Sequence, residues 1–255
     1  MRRRQESSMT TDTSRRVLRL TGNDRQDFLQ GLITNDVKKL ADGLVYTALL
    51  TPQGKYLADF FLVPDGDAIL LDVATPLAAS LTQRLTMYKL RADVQITPAD
   101  IVPACGVGDI PDGAFVDPRH DAMGWRAYDG QTAQDGVDWD AIRVAHCIPE
   151  TGIELTPDTY PLEAGLDRLN GVDFRKGCYV GQEVTARMKH KTDLKKGLTV
   201  VQIDGMAPVG TQITAVGKPV GTLFTQSGDR AIAYLRFDRA GKDMQAGDAS
   251  VSWLG

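Results

Sequence analysis

At residues 195–197 the hydrophobic pattern of this 255-residue chain changes character. Downstream, short apolar runs (198–203, 211–216, 220–225, 231–237 and 249–253) alternate with glycine-containing turns. Runs of that length and spacing predict a small β-barrel or sandwich. Upstream, strand and helix periods follow one another, so residues 15–196 are expected to form an α+β domain and 197–255 a second, all-β domain.

The upstream pattern is specific enough to place elements. Residues 17–20 read as a strand. A helix follows, with Asn23 or Asp24 as its N-cap, Phe28, Leu29 and Leu32 on its buried stripe, and Asn35-Asp36 as closing turn chemistry. The sequence Thr51-Pro52-Gln53-Gly54 has the proline and glycine of a type I turn and joins a hairpin of residues 46–50 and 56–63. A strand at 68–73, a helix with Leu77, Leu81, Leu85 and Tyr88 on one face, and a strand at 94–96 complete a first subdomain that ends near residue 100. Residues 101–135 are rich in Gly, Pro and Asp, with a strand candidate at 125–128. A helix is expected at 138–147, ended by Ile148-Pro149, and another opened by Pro161 with Leu162, Leu166 and Leu169 on one face and Asn170-Gly171 as its stop. Residues 1–14, with Arg2, Arg3 and Arg4, are expected to be a disordered basic tail, because no apolar stretch follows the arginines.

Cysteine and charge usage narrow the function classes. Cys105, Cys147 and Cys178 are odd in number, form no C-x-x-C pair, and are joined by three histidines, His120, His146 and His190. A disulfide framework or a self-contained zinc or iron–sulfur site is not expected, and a reducing, cytoplasmic setting is. No stretch approaches the ~20 apolar residues of a membrane span. The net charge of −4 hides a basic strip: between Asp173 and Gly197 lie Arg175, Lys176, Arg187, Lys189, Lys191, Lys195 and Lys196, against Asp173, Glu183 and Asp193. On an acidic chain such a strip suits an anionic ligand better than general nucleic-acid binding, although a solvated helix face gives the same pattern.

The chemistry concentrates in Lys176-Gly177-Cys178-Tyr179-Val180-Gly181-Gln182-Glu183. Val180, Val184 and Met188 recur every four residues. A helix starting near Tyr179 or Val180 would put Cys178 at its N-terminus, where free N–H groups, Arg175 and Lys176 favour a thiolate or a ligand anion. Gly177 and Gly181 permit unusual backbone angles or close approach of a ligand. Glu183 could accept a bidentate hydrogen bond from an amino-pyrimidine edge or cap the helix. A buried cysteine beside two glycines is, by itself, more often structural than reactive.

Residues 176–188, KGCYVGQEVTARM, resemble the signature of the YgfZ family, folate-binding relatives of the glycine cleavage T-protein that include a mitochondrial iron–sulfur assembly factor. Supporting pieces occur in order: Gln30-Gly31-Leu32-Ile33-Thr34-Asn35-Asp36, Leu50-Thr51-Pro52-Gln53-Gly54-Lys55, Ile148-Pro149-Glu150, Pro161-Leu162-Glu163-Ala164, Leu169-Asn170-Gly171-Val172, Val220-Gly221-Thr222 and Leu235-Arg236. The resemblance implies a T-protein-like α+β fold of folate-binding subdomains around a central cavity, with a C-terminal β-barrel. It implies functional roles for Lys176 and Cys178, with Cys178 at the cavity rim. It also implies a tetrahydrofolate site drawing on Trp139, Asn35, Asp36, Tyr56, Asp59, Gly177, Tyr179, Gly181, Gln182 and Glu183, with Arg187 and nearby lysines on the glutamyl tail. The departures are chemical. One carboxylate, Asp59, stands where the T-protein has an Asp-Asp pair. Arg143-Val144-Ala145-His146-Cys147 stands for its Arg-x-Glu-Ala-Gly, so a pterin-contacting glutamate and a glycine are gone.

The resulting expectation is a monomeric folate-binding protein that supports assembly or repair of iron–sulfur enzymes, with client enzymes or assembly proteins as partners and tRNA modification affected indirectly. A true aminomethyltransferase, leaning on Asp59 and Glu183, is the first alternative. Direct tRNA binding through Lys189, Lys191, Lys195 and Lys196 is the second.

Overall fold

The computed structural model describes residues 14–190 and 194–255. The expected basic tail, Ser14 apart, and Lys191 and Asp193 of the basic strip lie outside the described residues. The chain enters through β1 (Arg15–Thr21), α1 (Arg25–Gln30), β2 (Val45–Leu50), β3 (Tyr56–Asp65), β4 (Ala68–Ala74), α2 (Thr75–Lys89) and β5 (Gln95–Ala99). The strands form one antiparallel sheet in the order β2-β3-β4-β1-β5. Strands β2 and β4 are apolar nearly throughout because the sheet is covered on both faces. Leu20, Phe60, Leu62 and Leu71 pack with Leu81 and Leu85 of α2 on one side. Tyr46, Leu50 and Phe61 pack with Ile148, Leu166 and Leu169 on the other.

A small sheet, β6 (Ala104–Gly106), β7 (Phe115–Val116) and β8 (Trp125–Ala127), takes the order β6-β8-β7. It is followed by α3 (Trp139–His146), whose first turn is capped by Asp138 accepting from the Ala141 N–H at 2.9 Å. After α4 (Gln182–His190), β9 (Lys196–Asp204), β10 (Gln212–Ala215), β11 (Lys218–Ser227), β12 (Arg230–Arg236), β13 (Met244–Ala246) and β14 (Ala249–Ser252) close into a barrel in the order β10-β11-β12-β9-β14-β13. Closure through β10 and β13 leaves the barrel no open edge, which decides between barrel and sandwich. Val144 and Cys147 of the α3 region pack on Ile232 of the barrel.

Three local expectations need correction. Residues 161–170 are consecutive turns and not a helix: Gly165 sits at φ +72°, and the bonds from Leu166 N to Pro161 O and from Gly171 N to Leu166 O span five residues each. Asn35-Asp36 does not simply end a helix, because the Asp36 carboxylate caps a short 3-10 turn, Val37–Ala41, by accepting from Lys38 N. The helix after the signature starts at Gln182 and not at Tyr179 or Val180. Gly181, at φ +83°, holds a left-handed conformation that right-handed helix cannot pass through.

Candidate functional site

The signature segment is fastened at three points. Lys176 runs inward, and its Nζ donates to the carbonyls of Gln30 at 2.7 Å and Ile33 at 2.5 Å, at the C-terminal end of α1. Burial pushes this amine down to about 8. Its Nζ also lies 4.9 Å from the centroid of the Tyr179 ring, and that ring is buried in the same core cluster as Tyr46, Leu50 and Tyr56. At Gly181 a Cβ would stand 2.6 Å from the Thr51 carbonyl, so the segment lies directly against the β2–β3 turn. Gly54 of that turn has φ +76°, and a Cβ there would reach the Val184 side chain at 2.8 Å. Between the first fastenings, Gly177 and Cys178 are exposed. Cys178 precedes α4 by four residues, so it does not occupy the helix N-terminus expected to activate it. Glu183 and Arg187 lie exposed on α4, and the Gln182 side chain reaches back to the Gly177 carbonyl at 3.5 Å.

Asn35 is consumed by its own network. Its amide donates to Tyr46 O at 2.8 Å and Asn170 O at 2.6 Å, and its oxygen accepts from Lys39 Nζ at 2.8 Å and Asp36 N at 2.8 Å. Lys39 also pairs with Asp173 at 2.7 Å. Although burial opposes its charge, hydrogen bonds from Lys39 and the Arg175 N–H hold the Asp173 carboxyl below its usual range. These residues tie the first sheet to the 170–173 loop.

A cavity of about 380 Å³ opens elsewhere, between the sheet, the small sheet and α3. Trp139 and Asp59 line it, as do Arg15, Cys105, Arg119, Met123, Arg126, Arg143, Pro149, Glu150 and Thr151. Asp59 accepts from Tyr56 OH at 2.6 Å and Thr151 Oγ1 at 2.5 Å through Oδ1, and from Tyr46 OH at 3.1 Å through Oδ2. Burial first, and then the Asp59 charge, push both tyrosine hydroxyls well above their ordinary value. Asp59 is therefore the acceptor hub of three hydroxyls, and Tyr56 supports it from behind the cavity wall.

The facing wall is cationic. Arg15, Arg119 and Arg126 gather over the Phe61 ring, with guanidinium carbons 5.4, 5.0 and 4.1 Å from its centroid. Asp117 takes Arg119 at 2.7 Å and Arg126 at 2.9 Å. Asp72 takes Arg15 at 2.5 Å, Arg126 at 3.3 Å and Tyr128 OH at 2.8 Å. Burial opposes the Asp117 charge, but the two guanidiniums prevail and hold it well below the usual carboxylate range. Arg143 pairs with buried Glu154 at 2.6 Å and with half-exposed Asp140 and Glu150 at 2.8 and 2.9 Å.

Of the residues expected at a folate site, the cavity thus brings together Trp139 and Asp59, with Tyr56 behind. Asn35 and Asp36 sit in a separate network, and the residues from Lys176 to Arg187 are not among those lining the cavity. Sequence reasoning missed the arginine wall, Tyr46, Asp72, Asp117 and Thr151. The available signal was Asp72 in Ala-Ile-Leu-Leu-Asp-Val-Ala: a charge in a strand buried on both faces requires a partner. Cys147, standing for the T-protein glycine, is a left-handed C-cap at φ +51°, the conformation glycine adopts most easily. Its thiol is buried and pushed up to about 11 by that burial. Among the described residues no group of three or more His, Cys, Asp or Glu could hold a metal ion, and no helix is long and apolar enough to cross a membrane.

The barrel matches a family described as the CAF17 C-terminal beta-barrel domain over residues 195–254. The fold resembles the crystal structure of the glycine cleavage system aminomethyltransferase T from Bartonella henselae, with a TM-score of 0.72 and 14% identity over 93% of this chain and 81% of that one. The mitochondrial iron-sulfur cluster assembly factor IBA57 of Homo sapiens is 30% identical over 87% of this chain and 75% of its own length. The IBA57 homologue of Neurospora crassa is 32% identical over 79% of this chain, and that of Mycosarcoma maydis 32% over 71%. The chain spans about half of these two fungal relatives, 55% and 54% of their lengths. Their names overturn the cytoplasmic placement expected from the sequence: these relatives are mitochondrial proteins, and they point to a mitochondrial setting.

Proposed function

This chain belongs to the family of the iron–sulfur cluster assembly factor IBA57, and on that premise we propose that it binds a reduced folate in the arginine-walled cavity and serves the assembly or repair of iron–sulfur proteins. The observation that carries the folate half is the cavity lining. A volume of about 380 Å³ is within the usual range for a small-molecule site. Trp139 offers a flat apolar face for a ring, and the guanidiniums offer donors to carbonyl and ring-nitrogen acceptors. Tetrahydrofolate would be held by Trp139, Arg119 and Arg126, and its chemistry when bound is that of a one-carbon carrier.

The same lining speaks for an accessory role and against aminomethyl transfer. General base catalysis needs a carboxylate with an open oxygen within reach of the proton it takes. Asp59 already accepts from three hydroxyls, which fill about three of its four lone-pair sites, and Ala145 stands where the T-protein has its pterin-contacting glutamate. The exposure of Cys178, on a loop whose flanks are fastened, supports a role toward client proteins over one toward the cavity ligand. Effects on tRNA modification would follow through iron–sulfur enzymes.

Calorimetric titration of the purified protein with tetrahydrofolate tests the folate half: saturable 1:1 binding, weakened in Trp139→Ala, is expected, and no binding refutes it. Iron–sulfur enzyme activity in a deletion strain tests the rest. Wild type should restore it and Cys178→Ala should not; full rescue by Cys178→Ala would remove that residue from the account.

A further inference from the structure

We infer that Glu150 is the residue that reads the amino-pyrimidine edge of the cavity ligand and so sets its specificity. The inference rests on the folate reading above. A 2-amino-4-oxopteridine presents two adjacent N–H donors along one edge, and a carboxylate meets such a pair with both oxygens. Guanidiniums cannot serve, because they only donate. The cavity lining holds four of these, Arg15, Arg119, Arg126 and Arg143, and two carboxylates, Asp59 and Glu150.

Asp59 is engaged by Tyr46, Tyr56 and Thr151. Glu150 is different. Among the described residues its Oε2 accepts from Arg143 Nη1 alone, at 2.9 Å, which leaves that oxygen a second lone pair, Oε1 has no partner, and the side chain is 54% exposed. Its backbone is nevertheless fixed. The Glu150 N–H donates to Glu154 Oε2 at 2.9 Å, and its carbonyl accepts from the N–H groups of Ile153, Glu154 and Leu155 at 3.2, 3.1 and 3.0 Å. The next residue, Thr151, is bonded to Asp59 at 2.5 Å. A carboxylate with lone pairs open on both oxygens, on an immobilised backbone at the cavity wall, is a preorganised acceptor.

The test is calorimetric titration of wild type, Glu150→Gln and Asp140→Asn with tetrahydrofolate and with its 2-desamino analogue. Asp140 pairs with the same Arg143 nitrogen at 2.8 Å but does not line the cavity, so its variant controls for loss of that ion pair alone. Wild type should bind tetrahydrofolate about tenfold or more tightly than the desamino analogue, as expected for hydrogen bonds to a charged acceptor. Glu150→Gln should lose a similar factor for tetrahydrofolate and bind the two ligands nearly equally, while Asp140→Asn should match wild type. Unchanged affinity and discrimination in Glu150→Gln would overturn the inference alone. Absence of tetrahydrofolate binding to wild type would remove the folate reading and the inference with it.

Discussion

Replacing Glu154 should loosen the joint between the α+β domain and the barrel. Its side chain is fully buried, and both oxygens are in use. Oε2 accepts from Arg143 Nη2 at 2.6 Å and Glu150 N at 2.9 Å; Oε1 accepts from Thr225 Oγ1 at 2.5 Å and Thr225 N at 3.2 Å, on strand β11 of the barrel. Glu154→Ala therefore strands a buried guanidinium and two backbone N–H groups at once. Breaking a buried ion pair from one side costs about 3–5 kcal/mol. Arg143 keeps Asp140 and Glu150 on its other nitrogen, which favours the lower end of that range. With a urea m-value of about 3 kcal/mol/M, the unfolding midpoint should fall by roughly 1 M. Thr225→Val, which removes only the hydroxyl, should cost about 1 kcal/mol. In the double variant the Thr225 cost should largely vanish, since its acceptor is already gone. Fluorescence of Trp253, whose Nε1 donates to Thr199 inside the barrel domain, follows the transition. A Glu154→Ala midpoint within ~0.3 M of wild type, equivalent to about 1 kcal/mol, would refute the idea that this residue holds the two domains together.

The acid limb of stability should depend on Asp117. Its folded carboxyl titrates below its unfolded value of 3.8, so its contribution is complete above about pH 4 and is lost as pH falls through the folded value. Urea midpoints of Asp117→Asn should be lower than wild type at pH 6 and should converge on it toward pH 2. Lys176 carries the opposite dependence. Its amine titrates at about 8 when folded against 10.5 when unfolded, so the folded state binds fewer protons and stability should rise between pH 8 and 10; Lys176→Met should flatten that rise. Gly181→Ala should destabilise by roughly 2 kcal/mol or more, from left-handed backbone in an L-residue plus the Thr51 contact, whereas Gly177→Ala, with open space around its Cβ, should stay within about 0.5 kcal/mol. Thermal unfolding distinguishes the two.

Much of the architecture is legible in local periodicity. The break at 195–197 coincides with β9 beginning at Lys196, and the 51–54 turn joins its two strands as expected. Leucine spacing at 162, 166 and 169 is misleading because apolar contact does not require a helix. All three side chains are buried, but Gly165 at φ +72° lets consecutive turns present them to the core. The cavity is the least legible part. Its arginines come from β1, β8, α3 and the loop after β7, and their carboxylates from β4, that same loop, α3 and the segment after α3, so nothing in any one segment reveals that they converge. Only Asp72, a charge amid buried aliphatics, carries a local trace.

The signature and the cavity differ in how each uses its polar groups. In the cavity, Arg15, Arg119 and Arg126 line the wall and share two buried carboxylates, Asp72 and Asp117, so three guanidiniums meet two counter-charges. In the signature, Lys176 is consumed by two carbonyls, Tyr179 by the core, and Gly181 by the hairpin turn. What those fastenings leave free is one short exposed stretch, Gly177-Cys178, on a rigid base. A segment so specified for holding a loop in place, and absent from the lining of the arginine-walled cavity, fits the proposed presentation of a thiol to another macromolecule.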